Sequence, residues 1–122
     1  MAVEGVQGSG AGPTRSGGPQ LELEQRDAGA RRTLVLTGEL DMACAPVLDA
    51  TLRRICIEPT EAVTLDLSGL TFMDSTGLRT VLLAKELCEQ HDCELMLTPG
   101  SPQIQRLFEV TGLLGRLPFQ AV

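Results

Sequence analysis

Apolar and polar residues alternate in short runs along the chain. Residues 21–24 alternate leucine with glutamate, which is typical of a half-exposed strand. Turn-forming residues at 27–29 separate this run from a second one at 31–40, so the two runs are predicted to form a hairpin. Two further runs, Ala62–Leu67 and Glu94–Leu97, predict a third and a fourth strand.

Apolar residues at helical spacing follow three of these runs. The first predicted helix has Pro46 in its first turn and ends before Pro59. A longer helix begins near Ser75, and its apolar arc is wider than one amphipathic face needs, so we expect it to be heavily buried or to cover a partner. The last predicted helix opens at Pro102 and is closed by Gly112.

The order strand, strand, helix, strand, helix, strand, helix predicts an α/β fold. Single helices between strands imply right-handed parallel crossovers beside the initial hairpin, which gives a mixed four- to five-stranded sheet flanked by helices. Functional sites of open α/β sheets lie at the carboxyl ends of the strands. We therefore expect three polar positions to meet there: Glu39/Asp41, Ser68/Gly69 and Asp74–Thr76.

Residues 1–19 differ in composition from the rest of the chain. Gly, Ser, Pro and Ala dominate them, and such residues carry too little apolar surface to offset the entropy cost of ordering the backbone. We predict a disordered tail at 1–19 and one domain at 20–122, an ordinary length for a single hydrophobic core.

Charge and hydropathy exclude several classes of protein. The chain has 16 acidic against 10 basic residues, whereas binding to a nucleic-acid backbone needs a clustered basic face, so no nucleic-acid partner is expected. The start has no basic segment followed by an apolar one, and no run approaches the roughly 18 apolar residues of a membrane span. We predict a soluble, cytoplasmic protein without a membrane partner.

The four cysteines give no metal-binding pattern. They form no CxxC pair and no pair of histidines accompanies them, so neither a metal site nor any other cofactor is expected. The sequence instead predicts four small, buried apolar side chains in a reduced compartment.

The run Leu65–Leu78 carries the candidate chemistry. Ser75 and Thr76 lie between Asp74 and Gly77 where a predicted strand gives way to a predicted helix, and a phosphate is favoured at a helix N-terminus. Two interpretations stay open. Either Ser75 is the N-cap of the helix, or Asp74 is the cap and leaves the Ser75 hydroxyl free. Asp41 also has two interpretations: it is either the cap of the first helix or a functional acid.

Catalysis by Ser75 lacks the necessary partners. The only histidine, His91, lies at the far end of the predicted helix, more than about 20 Å away if that helix is continuous. The first glycine of a nucleophile elbow is missing, no P-loop is present, and the sole lysine, Lys85, lies in mid-helix, where it does not serve the phosphorylation site of a receiver domain. We therefore predict that the protein is not an enzyme.

Three segments resemble a known family. They are GELD at Gly38–Asp41, the run LDLSGLTFMDSTGL at Leu65–Leu78, and TGL at Thr111–Leu113. The chain from Leu21 to about Phe119 is similar to STAS domains, specifically to stand-alone bacterial anti-sigma factor antagonists.

The resemblance implies a partner switch that regulates transcription. The unmodified form would bind an anti-sigma factor that is also a serine kinase, which frees a sigma factor. Phosphorylation would abolish that binding, and a PP2C-type phosphatase would restore it. The matched phosphoacceptor is Ser75, with Thr76 the less favoured choice.

Further residues of the site also follow from the resemblance. The implied partner-binding residues are Glu39, Asp41, Asp74, Ser75, Thr76 and Gly77. Among them, Asp41 and Asp74 help present the serine to the kinase, and Gly77 keeps the loop approachable. No small-molecule substrate is implied. The alternative is a STAS module of another system, such as a stress-signalling scaffold, a lipid-transport accessory subunit or a ligand sensor.

Overall fold

The structure, a computed structural model, describes residues 14–17 and 20–120. Its elements follow the predicted order with one additional strand at the start and a short 3-10 helix near the end. They are β1 (Thr14–Gly17), β2 (Leu21–Ala28), β3 (Arg31–Leu40), α1 (Ala45–Ile57), β4 (Ala62–Met73), α2 (Ser75–Gln90), β5 (Glu94–Thr98), α3 (Pro102–Val110) and the 3-10 helix Leu114–Arg116.

The strands form one mixed sheet in the order β1-β2-β3-β4-β5. The pairs β1–β2 and β2–β3 are antiparallel, whereas β3–β4 and β4–β5 are parallel. Gly29, with φ +64°, makes the tight turn between β2 and β3, a backbone conformation that glycine adopts without steric cost. The predicted hairpin, the parallel crossovers and the α/β class are confirmed.

The predicted tail is wrong for four residues. Thr14–Gly17 form strand β1, which pairs with residues 22–25 of β2. Strand pairing uses main-chain groups, so a segment with little apolar surface can still add to the free edge of a sheet. The remaining residues of the predicted tail, 1–13 and 18–19, lie outside the described residues, and the boundary at residue 20 stays a prediction.

Strand β4 is longer than predicted. It runs six residues beyond the expected end at Leu67, because residues 69–73 continue the parallel pairing with the last part of β3 after β5 has ended. The pairing of β3 with β4 shifts register before Thr37 and again before Glu39. The expected convergence of Ser68 and Gly69 with the other polar positions is therefore wrong, since both residues lie inside the strand.

A single apolar core lies against one face of the sheet. Inward leucines such as Leu34, Leu65 and Leu97 are fully buried and share one row across β3, β4 and β5. Apolar side chains from all three α-helices belong to the same cluster. The alternate strand residues, including Thr64 and Met96, are more exposed, as the two-residue period of a strand requires.

Ion pairs collect at the amino ends of the parallel strands. The Arg32 guanidinium, 13% exposed, donates to Asp27 Oδ2 at 2.9 Å and to Thr60 Oγ1 at 3.0 Å. The more exposed Arg31 lies 3.2 Å from a carboxylate oxygen of Glu61. This end of the sheet is held by side chains of opposite charge.

None of the helices in residues 20–120 has both the length and the apolar character that crossing a membrane requires.

Candidate functional site

Two loops meet at the carboxyl ends of β3 and β4. The Met42 amide in the turn after β3 donates to Asp74 Oδ2 at 3.1 Å, and the Asp74 amide donates to the Leu40 carbonyl at 3.3 Å. The turn that contains Asp41 thus meets the loop of Asp74 at this edge of the sheet, as predicted.

Asp74 is the N-cap of α2. Its Oδ1 accepts from the amides of Thr76 at 2.9 Å and Gly77 at 3.0 Å. Ser75 is therefore the first residue of the helix, and the interpretation that makes Ser75 the cap is wrong. The Ser75 side chain is exposed, and its hydroxyl makes no hydrogen bond with any of the described residues. The fold therefore leaves the Ser75 hydroxyl unused within the described part of the chain.

Asp41 organises the turn before α1. Its Oδ1 accepts from the amides of Ala43 at 3.1 Å and Cys44 at 3.0 Å. The N-cap of α1 is Cys44, which makes no capping bond with its side chain. Asp41 thus holds the turn that precedes the helix, in the manner of an Asx turn.

Glu39 lies at the same edge, on β3. It is partly exposed and faces Phe72 across the β3–β4 pairing. Glu39, Asp41 and Asp74 thus give this edge of the sheet three acidic side chains.

Gly77 is buried, so it does not contribute an accessible surface. A Cβ atom at this position would collide with the carbonyl oxygen of Leu40 and would lie 2.8 Å from Met73 Cγ. Glycine therefore allows the first turn of α2 to approach the end of β3 closely. Its contribution to the site is the position of the loop, which replaces the expectation that it keeps the loop open.

Two exposed apolar side chains next to Ser75 were not predicted as site residues. Met42 is 73% exposed and Phe72 is 47% exposed. Met42 lies in the turn after β3 and Phe72 lies near the end of β4, so the sequence signal that marks them is an apolar residue beside a polar motif.

A groove of about 670 Å³ runs between α1 and α2 and reaches the same site. Met42 and Thr76 line its end near Ser75, and Leu82 and Leu83 line its wall. This groove accounts for the wide apolar arc predicted for the helix after Ser75. Arg79 also lines the groove, four residues after Ser75, a spacing that places two side chains on one face of a helix.

Helix α2 separates Ser75 from the only histidine. It is continuous from Ser75 to Gln90 and has His91 as its C-cap. Sixteen residues at about 1.5 Å rise place Ser75 and His91 about 24 Å apart. Because the helix is continuous, this distance excludes proton transfer between the two residues within one chain.

Three cysteines, of which Cys56 is distant in sequence from the other two, meet at the opposite end of the molecule. The Sγ atoms of Cys56, Cys88 and Cys93 all lie within 4.8 Å of one another. Burial raises the pKa of the Cys56 thiol to about 11, and the neighbouring Cys93 adds to this shift. Burial also raises the pKa of Cys88. Both buried thiols are therefore neutral at neutral pH.

Comparison with known proteins identifies the fold and the family. A family model described as "Mlab, STAS domain" matches residues 23–118. The chain belongs to the STAS domain family. This STAS domain is 37% identical over 76 residues to the anti-sigma-B factor antagonist of Staphylococcus aureus, an alignment that covers 62% of this chain and 70% of that protein. It is 32% identical over 93 residues to the antagonist of Listeria monocytogenes, with 76% and 81% covered.

A solved structure has the same fold. The STAS domain superposes on unphosphorylated SpoIIAA, an anti-sigma factor antagonist, with a TM-score of 0.70 at 21% identity, covering 81% of this chain and 88% of that one. SpoIIAA of Bacillus is also known in a phosphorylated form. The predicted fold and family are confirmed, and the relatives belong to the predicted class of regulatory proteins.

Proposed function

We propose that this STAS domain is an anti-sigma factor antagonist that binds an anti-sigma factor at the Ser75 end, and that phosphorylation of Ser75 switches the binding off. One observation carries the proposal. Asp74 caps α2 with its own carboxylate, so Ser75 stands at the helix start with an exposed hydroxyl that the fold does not use. The names of the relatives support the kind of partner.

The docking surface consists of Met42, Phe72, Ser75 and the groove between α1 and α2. Exposed apolar side chains next to a groove are typical of a protein interface. The serine lies at the edge of this surface, so its modification changes the interface directly. The anti-sigma factor contacts the beginning of α2 and the turn after β3.

A phosphate on Ser75 acts mainly by its charge. It adds about −1.5 to −2 charges beside Asp74 and Asp41, whose carboxylates already accept hydrogen bonds from the nearest amides. Desolvating this group in an interface without new cationic partners is costly, so the partner dissociates. The N-terminus of α2 favours an added negative charge by about 0.3–1 kcal/mol, so the phosphate should leave the domain folded.

The enzymes of the switch act on the same hydroxyl. The anti-sigma factor is itself the serine kinase, and a PP2C-type phosphatase removes the phosphate. The protein has no catalytic activity of its own and no small-molecule substrate. It works in the cytoplasm, where sigma factors act.

Phosphorylation of the full chain by candidate anti-sigma kinases tests the site. With ATP present, intact mass should rise by one phosphate, and site mapping should place it on Ser75. A phosphate placed elsewhere, with Ser75 unmodified, contradicts the assignment.

Affinity measurements with paired variants test the switch. Ser75→Ala should bind the kinase persistently, whereas Ser75→Asp should bind at least about tenfold more weakly, a loss of about 1.4 kcal/mol. Ser68→Asp is the matched control, because it adds the same charge to an exposed serine of β4, about 20 Å before Asp74 along the strand. The proposed switch is wrong if the two Ser75 variants bind the kinase with equal affinity, or if Ser68→Asp loses as much affinity as Ser75→Asp.

A further inference from the structure

The ends of three elements bring Cys56, Cys88 and Cys93 together. Cys56 lies in the last turn of α1, Cys88 in the last turn of α2, and Cys93 directly before β5. The Cys93 amide also donates to the Cys88 carbonyl at 2.9 Å, which fixes the turn between these two residues. The three-thiol cluster is thus built by the fold and does not depend on a short sequence motif.

The spacing of the three sulfur atoms suits one metal ion. Atoms 4.8 Å apart at the corners of a triangle lie about 2.8 Å from its centre, whereas a metal–thiolate bond measures about 2.3 Å. Each sulfur therefore needs to move by about 0.5 Å or less to coordinate an ion at the centre. A disulfide would join only two of the sulfurs, at about 2.05 Å, and would leave the third thiol unused.

The type and number of donors indicate which ion is bound. Within residues 20–120, no histidine or carboxylate joins the three sulfurs. Thiolates select soft ions, and Zn²⁺ in structural sites takes four ligands. Three thiolates without a fourth protein ligand favour a soft monovalent ion in trigonal coordination.

An entry path and one counter-charge accompany the cluster. Cys56 and Cys88 are buried, whereas Cys93 is partly exposed. Cys88 and Cys93 line a surface groove of about 380 Å³, and Arg116 lines the same groove together with Lys85 and Glu89, which pair with each other at 2.9 Å. The positive charge of Arg116 partly offsets the negative charge of a metal–thiolate group, which makes its burial less costly.

We propose that Cys56, Cys88 and Cys93 bind one Cu(I) ion as three thiolates. Each cysteine loses its S–H proton to solvent and donates a sulfur lone pair to the metal, so that three neutral thiols and Cu⁺ give a complex of charge −2 and three protons. No oxidation or reduction takes place. The bound ion joins the ends of α1 and α2 to the start of β5 and stabilises the folded domain by mass action.

Titration of the reduced full chain with Cu(I) under anaerobic conditions, against a chromogenic Cu(I) chelator, tests the site. One equivalent should be withdrawn from the chelator, and X-ray absorption of the complex should show three sulfur neighbours at about 2.3 Å. A parallel titration with Zn²⁺ gives the selectivity, and tighter retention of Zn²⁺ than of Cu(I) overturns the proposal.

Single variants identify the ligands. Cys93→Ser, at the least buried of the three positions, should weaken Cu(I) binding at least about tenfold while circular dichroism shows a folded domain. Cys44→Ser is the matched control, because Cys44 is buried at the opposite end of α1, about 18 Å from Cys56. If folded Cys93→Ser keeps the affinity of the unsubstituted chain, or if Cys44→Ser loses as much, the site is wrong.

A thermal-shift measurement separates binding by the native site from binding by unfolded chains. One equivalent of Cu(I) should raise the Tm of the unsubstituted protein and of Cys44→Ser, and should leave the Tm of Cys93→Ser unchanged. A lowered Tm of the unsubstituted protein would mean that the unfolded chain binds the ion better, which overturns the proposal.

Discussion

The two ends of the parallel strands hold their charges in different ways. At the carboxyl ends, Asp41 and Asp74 accept hydrogen bonds from backbone amides, and within the described part of the chain neither forms an ion pair. At the amino ends, Arg31 and Arg32 pair with carboxylate side chains. The first arrangement leaves a net negative surface with an unused hydroxyl at Ser75, whereas the second neutralises itself. The carboxyl ends therefore keep groups free for a partner, whereas the charged side chains of the amino ends are occupied within the domain.

The largest expected effect is at Gly77. Gly77→Ala should lower the free energy of unfolding by about 1–3 kcal/mol, because the new Cβ collides with the Leu40 carbonyl. Urea unfolding measures the change. Gly115→Ala is the control, since a Cβ at Gly115 meets no atom within 4 Å. Equal stability of the two variants would show that close packing does not fix the Ser75 end.

Removing the shared carboxylate should have the next largest effect. Asp74→Ala takes an acceptor from Thr76, Gly77 and Met42 and should cost about 1–2 kcal/mol, toward the upper end for a lost N-cap. Asp74→Asn keeps an acceptor oxygen for the cap and should lose clearly less. If urea unfolding gives the same loss for both, the charge of Asp74 matters more than its hydrogen bonds.

A smaller effect is expected at Asp41. Asp41→Ala should lower the unfolding free energy by about 1 kcal/mol, because the turn loses its two amide contacts, and it should slow phosphorylation of Ser75 by the kinase. Single-turnover phosphorylation and thermal unfolding measure the two effects. Unfolding of the whole domain by this substitution would make Asp41 purely structural.

The smallest effect is expected at the amino ends. Arg31→Gln removes exposed ion pairs, so its cost should stay below about 0.5 kcal/mol and should shrink further at high salt. Unfolding in low and high salt measures it. A loss above 1 kcal/mol that salt does not reduce would mean that Arg31 stabilises the fold by more than exposed, salt-screened ion pairs.

Local signals in the sequence are sufficient for most elements but not for all. The alternation at 21–24 and the apolar period after Ser75 predicted β2 and α2, since each pattern is repeated within the element itself. Strand β1 was missed because its pairing uses main-chain groups that side-chain composition does not report. The end of β4 was missed because the partner that extends it lies on β3.

The candidate site, like the fold, could be predicted from the sequence only in part. The motif around Ser75 predicts a candidate site, but Asp74 and Ser75 are both good N-cap residues, so only the geometry decides which one caps α2. The three-thiol cluster was not predicted at all. Its members come from the ends of two helices and the start of a strand, and their proximity depends on how these elements pack.

The two oxygens of Asp74 act on different parts of the chain. Oδ1 holds the first amides of α2, and Oδ2 holds the Met42 amide in the turn after β3. One carboxylate therefore bonds to two loops at once: the turn between β3 and α1, and the start of α2 after β4. Loss of this carboxylate would remove a hydrogen-bond acceptor from Thr76 and from Met42 together, so a substitution at this one position acts on both loops.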